Sequence, residues 1–194
     1  MKTLKPLLLL AFLTLSYFSF AQTKETSWLK NCTKLSYHVN YNALEYNFIL
    51  DSLLVNDGIS FNWKMTDPMN YSGKVKMSSE ALDTATAQNN FFGNNSNLDL
   101  TNKTTIWVSK KVYKAIKKGR SVIIDPSLGR EKLTFKSAEK LKANMNGKSE
   151  SFDVLYATTD SGNKFWILDD PSNPLIMKMY LGWTIEIKDI TTSK

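Results

Sequence analysis

A mainly-β domain is what this sequence predicts: a curved antiparallel sheet or an incomplete barrel, with two short helices. Three observations predict it. Apolar and polar residues alternate with period two in several runs, as in strands with one buried face. Turn-forming Asn, Asp, Gly and Pro residues separate those runs. Only two stretches open with a serine suited to cap a helix.

Taken in chain order, residues 1–21 read as an export signal peptide. Lys2 and Lys5 give a positive start. Residues 7–20 form an apolar run too short to cross a bilayer, which takes roughly 20 helical residues. Ser19 and Ala21 place small side chains at the third and first positions before a cleavage point at Gln22. The expectation is a periplasmic or extracellular protein with a single β-rich domain over 22–194. Cys32 follows Leu29-Lys30-Asn31, which is not the small-residue context of a lipid anchor. No later run approaches the length of a membrane-spanning helix, so none is expected once the signal is removed.

The mature chain then reads as strands and turns. Leu44, Tyr46, Phe48 and Leu50 share one parity, and so do Ile59, Phe61, Trp63 and Met65. Asn56-Asp57-Gly58 between them predicts a hairpin. Tyr71, Gly73, Val75 and Met77 continue the alternation after Asp67-Pro68, which suggests a meander with one wet face. Ser78, followed by Glu80 and Asp83, predicts the start of a first helix, which runs out into a loop over 89–95. Residues 104–108 are β-branched and aromatic, hence strand. Ser109 caps a second helix over 110–118, with Gly119 at its stop.

Beyond that helix, residues 122–124 and 133–135 are short strands, and Asn146-Gly147 is a tight turn. Phe152, Val154 and Tyr156 alternate, and 160–163 turn the chain into a strand over 165–168. Residues 175–187 keep one parity through Leu175, Met177, Met179, Leu181, Trp183, Ile185 and Ile187. Such a run exceeds the usual strand of about 5–6 residues, so Gly182 predicts a bend or bulge.

Composition removes several chemistries. One cysteine and one histidine allow no internal disulfide, no Cys/His zinc cage and at most one imidazole for proton transfer. Cys32 and His38 are the sole nucleophile-and-base pair of that kind, but such partners usually come from separated parts of a fold. Asp169-Asp170-Pro171 reads as a turn, because adjacent strand residues face opposite sides and do not form a dyad. Asp153, Asp160 and Asp169 are too dispersed for a calcium loop. Gly119, Gly129 and Gly147 form no phosphate cradle. The expectation is a protein that is not an enzyme and uses no cofactor or metal.

The net charge is +7, with twenty-three lysines but only Arg120 and Arg130. That imbalance argues against nucleic acid as a partner, since bidentate base recognition leans on arginine. Lysines cluster on the second helix. They form either an ordinary solvated face or, through Lys110, Lys114 and Lys117, a contact with a membrane surface.

Large soft side chains are the richest signal. Tyr46, Phe48, Phe61, Trp63 and Trp183 share the inward parity with Met65, Met77, Met177 and Met179, and all of these but Trp183 are singled out as candidate ligand contacts. They are either plain core or the lining of an adaptable apolar pocket, which methionine suits. Trp107 and Trp166 fall on the opposite parity, where they would cover the outer face or meet a partner.

A resemblance adds to this reading. Asn146-Gly147-Lys148, Val154-Leu155-Tyr156, the run from Phe165 through Asp170, and the run from Asn173 through Met179 resemble secreted Bacteroidetes proteins of uncharacterised function. The stretch from Ile106 through Tyr113, with Gly119 closing the helix, is similar too. More distantly, these resemble the half-barrel lipoprotein carriers of the LolA/LolB type. The resemblance implies a strongly curved sheet with helices plugging its concave side and a cavity for acyl chains. It carries over no functional residue. The function expected is an exported, non-enzymatic binding or carrier protein for an apolar ligand: an acyl chain, a lipid or a lipidated partner. The alternative is a structural or interaction module with a fully packed core that binds protein through its surface.

Overall fold

Residues 27–193 are described by the computed structural model; the expected signal peptide over 1–21 lies outside the described residues. A 3-10 turn (Ser27–Asn31) enters β1 (Cys32–Tyr41), followed by β2 (Leu44–Asn56), β3 (Gly58–Met65) and β4 (Ser72–Ser78). The first helix, α1 (Ser79–Thr84), precedes the short β5 (Ala87–Gln88), β6 (Ser96–Leu100) and β7 (Lys103–Thr104). The second helix, α2 (Lys110–Lys117), leads to β8 (Val122–Ile124), β9 (Glu131–Met145), β10 (Lys148–Thr159), β11 (Lys164–Leu168), β12 (Ile176–Tyr180) and β13 (Thr184–Thr192).

Eleven of these strands form one sheet in the order β6-β4-β3-β2-β1-β13-β12-β11-β10-β9-β8. The sheet is curved and does not close into a barrel; β6 and β8 are its edges. Extra residues inserted into strands bend them and increase their twist. Register shifts of that kind occur in β1 against β13, β2 against β3, β9 against β10, and β11 against β12. In β2 the break falls at Ser52 and Leu53, with Ser52 at φ 53°. The lower end of β9 also meets β13 in parallel, pairing Asn144 with Asp189 and Met145 with Ile190.

Both expected helices are present, and each is nucleated by its serine. The Ser78 hydroxyl accepts from the Ala81 N–H at 3.1 Å, and the Ser109 hydroxyl accepts from the Val112 N–H at 3.2 Å. Each satisfies one of the orphan donors of a first turn. The two helices touch each other; α1 also lies against β3 and β4, and α2 against β8, β9 and β10. The second buries Val112, Tyr113 and Ile116 in the same core as the inner faces of the strands, and the first buries Ala81.

Several elements differ from what the sequence predicts. Within 104–108 only Thr104 is in a strand. Ile106 has φ 59°, and Trp107 makes a single bridge to Leu175 before turning into the core. Trp107 is therefore not an outer-face residue: it packs on Phe61 at 5.9 Å and donates its Nε1–H to Asn173 at 2.7 Å. Residues 175–187 are not one bent strand but the β12–β13 hairpin, turned at Leu181-Gly182-Trp183 with Gly182 at φ 78°. Met179 and Ile185 keep their shared parity because they pair across it. The lysine-rich residues 136–145 complete a fifteen-residue β9. Leu44 stands 42% exposed at a hairpin tip, despite its inward parity.

Trp166 does lie on the outer face, in a transverse row. Tyr156 stacks on it with centroids 4.8 Å apart, and the Lys178 ammonium lies 5.4 Å from its ring centre. Cross-strand pairing extends the row through Glu186, His38 and Asn47. Both faces of the Trp166 ring thus have protein neighbours.

Candidate functional site

Antiparallel order places the turns 42–43, 66–71, 160–163 and 181–183 at one end of the sheet. The pairs Asn40 with Thr184, Tyr180 with Thr184, and Lys164 with Tyr180 run along that end. The loop 89–92 folds over it, held by Asn90, whose N–H donates to the Ser127 hydroxyl at 3.1 Å and whose amide donates to the Pro126 carbonyl at 3.0 Å. This brings Phe91 and Phe92 over the inner face of β2 and β3.

An apolar depression of about 170 Å³ opens there, lined by residues that include Tyr41, Tyr46, Met65, Met69, Phe91 and Trp183. Beneath it lies a void of about 30 Å³, bounded by Val39, Phe48, Ile106, Met179 and Ile185 among others. Tyr46, Met65, Asn90, Phe92 and Trp183 line both spaces. Tyr41 meets Trp183 edge-on at 6.3 Å across the opening. Burial, with Tyr41 adding to it, raises the Tyr46 phenol above its ordinary value of 10.0, so at neutral pH this lining is uncharged.

Of the eight residues singled out by parity, Tyr46, Phe48, Met65 and Met179 surround this mouth. The other four sit in packed core. Trp63 packs beside Phe48 and Phe92, at 6.0 and 5.0 Å. Phe61 lies on Trp107, and the Met77 sulfur accepts the Thr105 N–H at 3.3 Å. Met177 is fully buried. Sequence reasoning placed Trp183 on the inward parity but missed Phe91 and Phe92 as lining. The Phe-Phe pair inside an Asn-rich loop was the available signal, since large apolar residues at a loop tip need a surface to cover.

A larger depression, of about 370 Å³, lies elsewhere on the solvent-facing side of β2, β3, β4 and β6. Its walls include Ser60, Asn62, Lys74, Lys76, Asn97 and Asp99. It is a broad trough beside the β2 bulge, and Leu54, Phe61, Val75 and Leu98 line it as well.

The other candidate residues are not assembled into a reactive site. Cys32 is buried on the inner side, while His38 faces outward toward Glu45 at 3.9 Å. Burial pushes the Cys32 thiol up to about 11. Asp169 and Asp170 lie in the turn after β11: the Asp169 carboxylate accepts from the Tyr113 hydroxyl at 2.7 Å and pairs with Lys117, while Asp170 accepts from the Ser172 N–H and hydroxyl. Burial first, and the Asp169 carboxylate second, push the Tyr113 phenol well above its ordinary value. On α2, Lys110 pairs with Asp83 at 2.8 Å and Lys117 with Asp169, which leaves Lys114 the most open of the three lysines expected at a membrane surface. No described helix is long and apolar enough to cross a membrane. Comparisons with protein-family models, with curated proteins and with solved structures return no match to this chain.

Proposed function

We propose that the protein is a non-enzymatic binding protein that takes up an apolar group, the end of an acyl chain on a lipid or a lipidated partner, at the aromatic mouth. One observation carries this reading: Tyr46, Met65, Phe92 and Trp183 line both the open depression and the void beneath it. The depression and the void are therefore neighbours that share a largely apolar wall, through which the inner face lies close to solvent. Each methylene that enters the depression gains about 0.8 kcal/mol of transfer free energy. The resemblance to lipoprotein carriers points the same way. Export would put the mouth where lipidated partners are found.

A second reading is favoured by volume. The void is about one water in size, and neither space reaches the roughly 300 Å³ typical of an enclosed ligand site. A filled interior suits a module that binds protein through its surface.

Titration with a soluble fluorescent fatty-acid analogue separates the two. The first reading expects saturable binding that Met65→Lys abolishes and Leu54→Lys, outside the mouth, leaves intact. Absence of saturable binding to the wild-type protein, or equal binding by both variants, would leave only the second.

A further inference from the structure

Among the described residues, the large exposed apolar side chains are unevenly placed. They are Tyr41, Leu44, Leu54, Phe91, Ile123, Leu128 and Tyr180. Only Leu54 lies toward the far end, two residues before the β2–β3 turn. Tyr41 and Leu44 flank the β1–β2 turn, and Tyr180 opens the β12–β13 turn. Leu128, 51% exposed, tips the β8–β9 loop, which Asn90 ties to the loop carrying Phe91, 58% exposed. Ile123 pairs with Lys132 near the top of β9. Six exposed apolar side chains therefore crown the end that holds the mouth.

We infer that this crown docks on the interfacial layer of a lipid bilayer. Five of its side chains stand at or beside separate turns and loops, and Ile123 lies within the short β8, so they do not tile one flat face. They can enter a soft interface side by side, while a rigid protein partner would need a matching socket for each. Tyr41, Tyr180 and Trp183 are amphipathic rings of the kind enriched where hydrocarbon meets headgroups. Charges of both signs border the crown: Lys64, Arg130 and Lys164 beside Glu45, Asp67 and Asp160. With no single sign in excess, the surface matches a zwitterionic lipid, and apolar insertion supplies the binding. The contact lies away from the α2 lysines, since Lys117 is paired with Asp169 beyond the opposite end of β11. The inference stands on the exposed turn residues and does not require the depression to hold a ligand.

Co-flotation of the protein with phosphatidylcholine vesicles, at low and high salt, tests it. The expected result is binding that salt does not weaken. The triple variant Leu44→Ser, Leu128→Ser, Tyr180→Ser should bind at least about tenfold more weakly, because each substitution removes an apolar contribution to insertion. Leu54→Ser should bind as the wild type does. None of the three altered residues is among those named around the depression, so uptake of the soluble fatty-acid analogue by the triple variant reports on the mouth separately. Circular dichroism melting of each variant verifies that it folds. The inference is overturned if wild-type protein ignores phosphatidylcholine, if it binds only anionic vesicles in a salt-sensitive way, or if the triple variant binds undiminished. It is also overturned if sedimentation shows a dimer that the triple variant dissolves, which would assign the crown to self-association.

Discussion

Phe92, carried on the loop after β5, lies against Phe48 of β2 with ring centroids 4.8 Å apart. It also meets Trp63 of β3 at 5.0 Å. A loop residue thus closes the inner face of the sheet and sets the floor of the mouth. Phe92 lines both the depression and the void beneath it.

Phe92→Ala tests that arrangement. Removing a half-buried ring should cost about 2–3 kcal/mol, less than a fully buried phenylalanine because part of the ring is already wet. Urea unfolding measures the loss. On the proposed function, the same variant should bind the soluble fatty-acid analogue more tightly, because the void then joins the depression.

Alkaline pH should destabilise the fold. Burial raises the Cys32 thiol from 9.0 to about 11, so the native state keeps its proton where the unfolded chain has lost it. This contribution is fully present below pH 9 and is lost as pH rises toward 11. The slope from this one group is at most about 1.4 kcal/mol per pH unit. Tyr37, its phenol raised well above its ordinary value by burial, acts in the same direction at higher pH. Cys32→Ser should flatten the first part of the profile in denaturant melts taken across that range. Native Cys32 should also resist thiol reagents that label the unfolded chain.

Gly73→Ala should loosen one edge of the sheet. A Cβ there would stand 2.1 Å from the Ser96 carbonyl oxygen and 2.9 Å from the Trp63 ring nitrogen. Backbone and a core tryptophan cannot both give way, so β4 and β6 must separate. Overpacking of this kind costs about 1–3 kcal/mol. Faster hydrogen exchange confined to 96–100 would show the detachment directly.

Ser109→Ala removes a buried cap. The Val112 N–H loses its acceptor and cannot reach water, so about 1–2 kcal/mol of stability should go. Ser109→Asp should recover part of it if the pocket tolerates the charge, as thermal melting would show.

Much of this fold was written locally. The alternation over Phe48 and Leu50, or Ile59, Phe61 and Trp63, fixes which residues share a face, and the backbone period alone accounts for that. Both helix starts follow from a serine hydroxyl that reaches an amide three residues on. Asn146-Gly147 turns β9 into β10 because both residues adopt positive φ, 52° and 80°. Even β1, absent from the expected elements, alternates visibly through Leu35, Tyr37 and Val39.

Other features depended on partners distant in the chain. Residues 136–145 carry few apolar side chains, yet they are strand because β10 supplies their hydrogen bonds. Trp107 points inward because Asn173, sixty-six residues away, offers its indole an acceptor. The half of the parity set that reached the mouth was also undetermined locally: Tyr46 and Trp63 look alike by alternation, and only the 89–92 loop, tied down by Asn90, covers one and leaves the other near solvent. Period two assigns a side chain to a face. It carries no information on how far apart two faces lie or which loop fills the gap, and those distances are what make a core or a pocket.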